Sequence, residues 1–121
     1  MMAKIRRFED LQSWIKAREL ANLVYDLTIS DSFRRDYGLC DQIRKAAGSV
    51  MHNIAEGFDA GSDAEFTRFL KFSRRSASEV QSQLYLALDR SYVSDDELRE
   101  VHEIATEVKK LINGMISYLR K

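Results

Sequence analysis

Positive side chains are concentrated in one stretch of the sequence. Residues 66–76 carry Arg68, Lys71, Arg74 and Arg75 without one acidic residue. On a helix, positions three and four apart are neighbours, so Arg68, Lys71 and Arg75 share one face. A stripe of cations on a helix face can follow the phosphates of a nucleic acid. We therefore predict a nucleic-acid-binding site at these four residues.

Two further features belong to this predicted site. Phe72 and Tyr85 offer aromatic rings on which unpaired bases stack. More cations lie in the N-terminal tail, at Lys4, Arg6 and Arg7. A second interpretation stays open, in which the stripe is a solvated face or pairs with the acidic helix of a neighbouring subunit.

The net charge conceals this segregation. The chain has 19 Lys plus Arg and 19 Asp plus Glu, so its formal charge is zero. Acidic residues dominate residues 94–107, at Asp95, Asp96, Glu97, Glu100, Glu103 and Glu107. A zero total removes the simplest argument for nucleic-acid binding, which is a strongly basic chain. It constrains the average charge and leaves the surface distribution open.

Catalytic and metal-binding patterns are weak. Glu97, Glu100 and Glu103 have the Glu-x-x-Glu spacing of all-α nucleotide pyrophosphohydrolases, but Glu100 and Glu103 face away from the apolar stripe of their helix and do not converge on one cation. A di-iron bundle needs Glu-x-x-His, whereas a serine and an arginine stand three residues before His52 and His102. No Ser-His-Asp or Cys-His arrangement is evident. We expect no catalysis, cofactor or metal.

The elements that must hold these side chains are helical. The chain contains no proline, which helix interiors exclude. Apolar residues recur at the helical period in four segments, at residues 9–29, 39–58, 63–91 and 95–119. Short connections join them. We predict an all-α protein in which one domain, residues 1–121, forms an antiparallel up-down-up-down four-helix bundle.

Capping patterns mark the predicted boundaries. Ser62 with Glu65, and Ser94 with Glu97, have the form of a capping box, in which each side chain satisfies a free amide of the first turn. Asp36 is placed to cap the second helix.

Three glycines and the single cysteine also receive predictions. Gly57 and Gly61 suit the end of the second helix, and Gly48 permits a close approach of a neighbouring helix. Cys40 cannot form an intramolecular disulfide and is expected to be a small packing residue.

No apolar run approaches the roughly 20 residues that span a bilayer, and the N-terminal residues do not have the pattern of a signal peptide. We expect a cytoplasmic protein without a membrane partner.

Surplus apolar surface predicts self-association. The apolar arc of the first helix covers roughly 200°, about twice what one core-facing side needs. Phe72 and Leu86 also lie away from the main stripe of the third helix. We expect part of this surface to meet another subunit.

Several blocks of sequence resemble a known family. The second predicted helix carries the family motif residues Gln42, Arg44, Asn53, Glu56 and Gly57. With the opening Phe-Glu-Asp-Leu at residues 8–11 and the Asn-Gly pair at 113–114, this pattern resembles the four-helix bundle proteins encoded in bacterial 23S ribosomal RNA intervening sequences. Arg75 departs from the family, which commonly has glycine there; the departure adds charge and puts a close helix contact at that position in doubt.

The resemblance implies a fold and an assembly more than an activity. It implies an antiparallel four-helix bundle in a ring-like homopentamer, similar in architecture to the basic accessory proteins of diversity-generating retroelements, which hold nucleic acid. A ring would multiply a weak basic patch through avidity. We therefore expect a non-catalytic scaffold that binds RNA or another nucleic acid; the alternative is a protein–protein interaction module without a nucleic-acid ligand.

The motif residues themselves allow two interpretations. Asn53 and Glu56 could form a binding site, or they could be structural. In the structural interpretation, Asn53 bonds across the bundle and Glu56 pairs with an arginine such as Arg18 or Arg44.

Overall fold

A computed structural model describes residues 5–120, and it contains four α-helices and no strand within that range. The helices are α1 (Gln12–Thr28), α2 (Tyr37–Asp59), α3 (Asp63–Asp89) and α4 (Asp95–Leu119). Short 3-10 turns at Phe8–Asp10 and Phe33–Arg35 precede α1 and α2. The predicted all-α class with four helices is confirmed. Lys4, one of the predicted tail cations, lies outside the described residues.

The four helices share one hydrophobic core. Helices α1 and α3 each pack against both α2 and α4. The core takes a fully buried side chain from the predicted apolar stripe of every helix, for example Leu20, Ile43, Leu70 and Ile112. Within the described part of the chain, no helix combines the length and apolar content needed to cross a membrane.

Helices α2 and α3 approach each other closely at Gly57. A Cβ added there would lie 2.7 Å from the Cβ of Phe69 and 3.0 Å from Cδ1 of Phe66. Gly57 lies inside α2, which continues to Asp59, so the prediction that Gly57 ends this helix is wrong. Gly61, with a φ of 92°, provides the left-handed conformation that favours glycine after a helix.

The predicted close approach at Gly48 is wrong. A Cβ added at Gly48 would meet only the side chain of His52, at 3.6 Å. The tight contact therefore falls nine residues further along α2, where two aromatic residues of α3 rest against the backbone of Gly57.

Two predicted helix caps are confirmed. Asp36 Oδ1 accepts a hydrogen bond from the Leu39 amide at 3.1 Å, at the start of α2. At the start of α4, Ser94 Oγ accepts from the Glu97 amide at 3.1 Å while the Glu97 carboxylate accepts from the Ser94 amide at 2.9 Å. The second arrangement is a complete capping box.

The connection between α1 and α2 contributes to the core through Phe33. Its side chain is fully buried, and its ring stacks on Tyr92 with centroids 5.1 Å apart. The Tyr92 hydroxyl donates to Asp36 Oδ2 at 3.0 Å, and the Cys40 thiol donates to the Phe33 carbonyl at 3.1 Å. The sequence predicted no core role for the connection between α1 and α2, but its contacts join it to α2 and to the segment before α4.

Cys40 is expected to react slowly in the folded protein. The residue is 8% exposed. Burial raises the pKa of the thiol; Arg44 opposes this rise and the Asp36 carboxylate adds to it. A raised pKa leaves less of the nucleophilic thiolate at a given pH. Alkylation by iodoacetamide at mildly alkaline pH should be more than about tenfold slower than in the urea-unfolded chain. Equal rates in the two states would contradict the buried position.

Candidate nucleic-acid interface

Arg68 is the most compensated of the four predicted cations. Its guanidinium donates two hydrogen bonds to the Glu65 carboxylate, at 3.0 and 3.2 Å. This pairing lowers the pKa of Glu65 and raises the pKa of Arg68. The predicted capping box at the start of α3 is therefore only half formed. The Glu65 amide donates to Ser62 Oγ at 3.2 Å, but the Glu65 carboxylate does not accept a hydrogen bond from the Ser62 amide. An ion pair with a neighbouring acid reduces the attraction of Arg68 for an added anion.

Arg74 and Lys109 are held in place by neutral groups. Arg74 Nη1 donates to Asn113 Oδ1 at 2.7 Å, across the contact between α3 and α4. From α4, Lys109 Nζ donates to Ser78 Oγ at 3.1 Å and to Gln81 Oε1 at 2.8 Å. Neither cation has an ion pair in the described part of the chain. Their positions are restricted while their charges stay uncompensated.

These side chains line a shallow cavity between α3 and α4. It has a volume of about 330 Å³ and is lined by Lys71, Arg74, Arg75, Ser78 and Lys109. We call Lys71, Arg74, Arg75 and Lys109 the basic cluster. No carboxylate lines the cavity, so an anion entering it would meet positive charge from two helices.

Lys109 was missing from the sequence prediction. It follows the acidic part of α4 and lies 31 residues from Ser78, its hydrogen-bond partner. The only local signal was the Lys109-Lys110 pair, which does not indicate which residue faces α3. The packing of the helices decides this, since Lys109 meets α3 and Lys110 is exposed.

The two predicted stacking aromatics do not belong to the cavity. The guanidinium carbons of Arg68 and Arg75 lie 5.3 and 5.7 Å from the centroid of the Phe72 ring, and Phe69 makes an edge contact with the same ring. Tyr85 packs edge-on against His102, with ring centroids 5.8 Å apart. Ten residues of helix, about 15 Å, separate Tyr85 from Arg75. Neither ring lines the cavity, although Phe72 contacts Arg75 of the basic cluster.

The acidic side of α4 points outward, as predicted. Glu100, Glu103 and Glu107 are all exposed. Glu107 pairs with Lys16 of α1 at 3.2 Å and raises the pKa of that lysine. Among residues 5–120 no group of three or more His, Cys, Asp or Glu side chains is arranged to hold a metal ion.

Arg44 and Asn53 make local structural contacts. Arg44 Nε donates to Thr28 Oγ1 at 2.8 Å, and its guanidinium lies 4.7 Å from the Tyr25 ring centroid, which joins α2 to the end of α1. Asn53 Nδ2 donates to the carbonyl and hydroxyl oxygens of Ser49 in the same helix, at 2.9 and 2.8 Å. The predicted bond of Asn53 across the bundle is therefore wrong. The Ser49 hydroxyl makes that connection, through Ser76 Oγ of α3 at 2.9 Å.

Glu56 and Gln42 lie at the surface. Glu56 is exposed and has no ion-pair partner in the described residues, because Arg44 is directed to α1 and Arg18 lies over Trp14, 5.7 Å from its ring centroid. The predicted pairing of Glu56 with Arg18 or Arg44 is wrong. Gln42 lines a polar groove of about 430 Å³ between α2 and α3.

Comparison with known proteins identifies relatives over nearly the whole chain. Residues 9–114 match the family model described as 23S rRNA-intervening sequence protein. No curated protein matches the chain. The fold is similar to the crystal structure of a protein with unknown function from the S23 ribosomal protein family of Bacteroides thetaiotaomicron, with a TM-score of 0.79. The two are 24% identical, and the match covers 87% of this chain and 95% of that chain.

Proposed function

The chain belongs to the family of 23S rRNA-intervening sequence proteins, and from this membership and the basic cluster we propose that it is a non-catalytic, cytoplasmic scaffold that binds RNA or another nucleic acid. The observation that carries the proposal is the cavity lined by Lys71, Arg74, Arg75 and Lys109 without a carboxylate. Phosphate oxygens are the ligands that such a set of cations attracts.

The way the cations are held favours phosphate binding. An ammonium group has three donors, and Lys109 uses two of them on Ser78 and Gln81. The third N–H of the Lys109 ammonium group is left to bind an anion. Because Arg74 is already fixed by Asn113, less side-chain freedom is lost when an anion binds.

We also propose that the four helices form an antiparallel up-down-up-down bundle. The hydrogen-bonded pairs between α3 and α4 include Arg74 with Asn113, Ser78 with Lys109 and Gln81 with Thr106. Residue numbers rise along one helix as they fall along the other. The same order relates α2 to α3, where Ser49 bonds Ser76 and Gly57 lies against Phe66.

We further propose a ring-like homopentamer, which would repeat the basic cluster around its axis. Exposed apolar side chains support self-association. At the end of the molecule where α1 meets α2, Ile29 is 65% exposed and Tyr37 is 82% exposed, and Tyr25 is about half exposed beside Arg44. Apolar groups this exposed favour burial against another surface.

The nucleic-acid proposal is tested by a matched pair of double variants. Arg75→Ala/Lys109→Ala removes two cluster cations, and we expect more than about tenfold weaker binding to a structured RNA and a salt slope smaller by roughly 1 to 2. Arg99→Ala/Lys110→Ala removes the same charge from exposed positions of α4 outside the cavity. Fluorescence anisotropy across a salt series measures both, and circular dichroism checks that each variant folds.

Equal loss in the two double variants would show a general charge effect and reject the cluster as the site.

A second candidate function, a protein–protein interaction module, is favoured by the exposed apolar end of α1 and α2. If the basic cluster makes subunit contacts in such a module, Arg75→Ala/Lys109→Ala would change the oligomeric state, and the wild-type protein would have no affinity for nucleic acid to lose.

Tyr37→Asp is expected to dissociate the proposed oligomer. The ring is 82% exposed in the single chain, so the change should alter the fold stability by no more than about 0.5 kcal/mol. A carboxylate buried in an apolar interface is costly, since it loses its hydration. Light scattering after size exclusion should show a smaller particle for Tyr37→Asp and an unchanged one for Tyr85→Asp. A wild-type protein that is monomeric at micromolar concentration would refute the pentamer.

A further inference from the structure

We infer that the basic cluster recognises the phosphate backbone of a base-paired double helix and does not bind unpaired bases. This inference rests on the proposed nucleic-acid function and names the ligand class of the same site. Its basis is the position of the aromatic rings relative to the cations. The sequence predicted that cations and stacking rings on one helix form the site, whereas in the structure only the cations line the cavity.

Proteins that bind single strands combine positive charge with aromatic faces on which successive bases stack. The cavity lining contains cations and a serine but no aromatic residue. Phe72, the nearest candidate, has guanidinium groups from Arg68 and Arg75 over its ring and Phe69 at its edge. Arginine side chains thus already contact the ring on which a base would have to stack.

The remaining candidate ring lies elsewhere. Tyr85 is on the same helix as the cluster but packs edge-on against His102, about 15 Å along the axis from Arg75. A base stacked on Tyr85 would therefore lie outside the cavity. The cluster offers charge and hydrogen-bond donors, and the contacts that such groups make with phosphates carry no base specificity.

The rigidity of the cluster also favours a duplex. Arg74 is fixed to Asn113 and Lys109 to Ser78 and Gln81, so these two positive charges project from two packed helices in a set arrangement. A double helix presents its phosphates in a regular array, whereas a single strand must be ordered on binding and loses conformational entropy. A duplex also releases more counterions for each contact, and four cations give salt slopes of about 3.6 for a duplex against about 2.8 for a single strand.

The test compares one sequence in paired and unpaired form. A labelled RNA duplex of about 16 base pairs, its separate unstructured strand, and the DNA duplex of the same sequence are titrated with the full-length protein by anisotropy over a salt series. We expect the RNA duplex to bind about tenfold or more tightly than its single strand, with the steeper salt slope. The DNA duplex distinguishes the two kinds of helix, and preference for either duplex over its single strand supports the inference.

Variants separate charge from stacking. Arg75→Ala/Lys109→Ala should remove most of the duplex affinity. Phe72→Leu and Tyr85→Leu should each change it by less than about threefold, whereas loss of a stacked base would cost about tenfold or more. Single-strand binding that is equal or tighter, and that depends on Arg75 and Lys109, would overturn the inference and leave the proposed function standing. Absence of binding to every probe at low salt would overturn both.

Discussion

Gly57→Ala is expected to destabilise the protein, lowering the free energy of unfolding by about 1–3 kcal/mol or more. The new Cβ would have to fit 2.7 Å from the Cβ of Phe69 and 3.0 Å from Phe66. The first of these atoms is attached directly to the backbone of α3, so it cannot rotate away. The two helices must move apart, and this loosens packing along their contact. Alanine gains up to about 1 kcal/mol of helix propensity over glycine, which does not offset the clash.

Gly48→Ala provides the matched control in the same helix. The substitution is chemically identical, but the added Cβ meets only the flexible His52 side chain, at 3.6 Å. Without a clash the helix propensity of alanine remains, and we expect a gain of about 0.5–1 kcal/mol. Urea denaturation followed by circular dichroism measures both variants. If the two substitutions shift stability in the same direction, the close contact at Gly57 is wrong.

The second large effect is expected for Phe33→Ala, which should lower the free energy of unfolding by about 3–5 kcal/mol. Phe33 is fully buried although it lies in a short turn between helices. Its removal leaves a cavity against Tyr92, whose ring it stacks on at 5.1 Å. Phe33→Leu keeps an apolar side chain in the space and should lose clearly less. Urea denaturation again gives the values.

An independent measurement accompanies this prediction. The Phe33 carbonyl accepts the hydrogen bond from the Cys40 thiol, so a cavity at Phe33 should expose that thiol. We expect alkylation of Cys40 to be faster in Phe33→Ala than in the wild type under native conditions. A stability change below about 0.5 kcal/mol, the size of an ordinary surface substitution, would show that the turn does not support the core.

Local rules made most of the fold predictable. Helix boundaries at Asp36 and Ser94 depend on side chains that bond to backbone amides three residues away, so short sequence windows contain the necessary information. Core residues such as Leu70 and Ile112 follow from the helical period. Glycine roles were not predictable in this way: Gly48 and Gly57 lie in the same helix, and only the positions of Phe66 and Phe69 on another helix distinguish them.

The candidate site was predictable in part. The sequence by itself determined an all-α chain, the apolar faces of its helices, and a run of cations on one face of α3, because periodicity and charge order are local properties. Tertiary structure decided which of those charges line one cavity. It brought Lys109 from α4 to the cavity and Asn113 from α4 to Arg74. The pairing of Arg68 with Glu65 and the arginine contacts of Phe72 join residues three or four positions apart in α3, so they are local. Contacts between residues some 30 to 40 positions apart are set by helix packing, which local sequence does not encode.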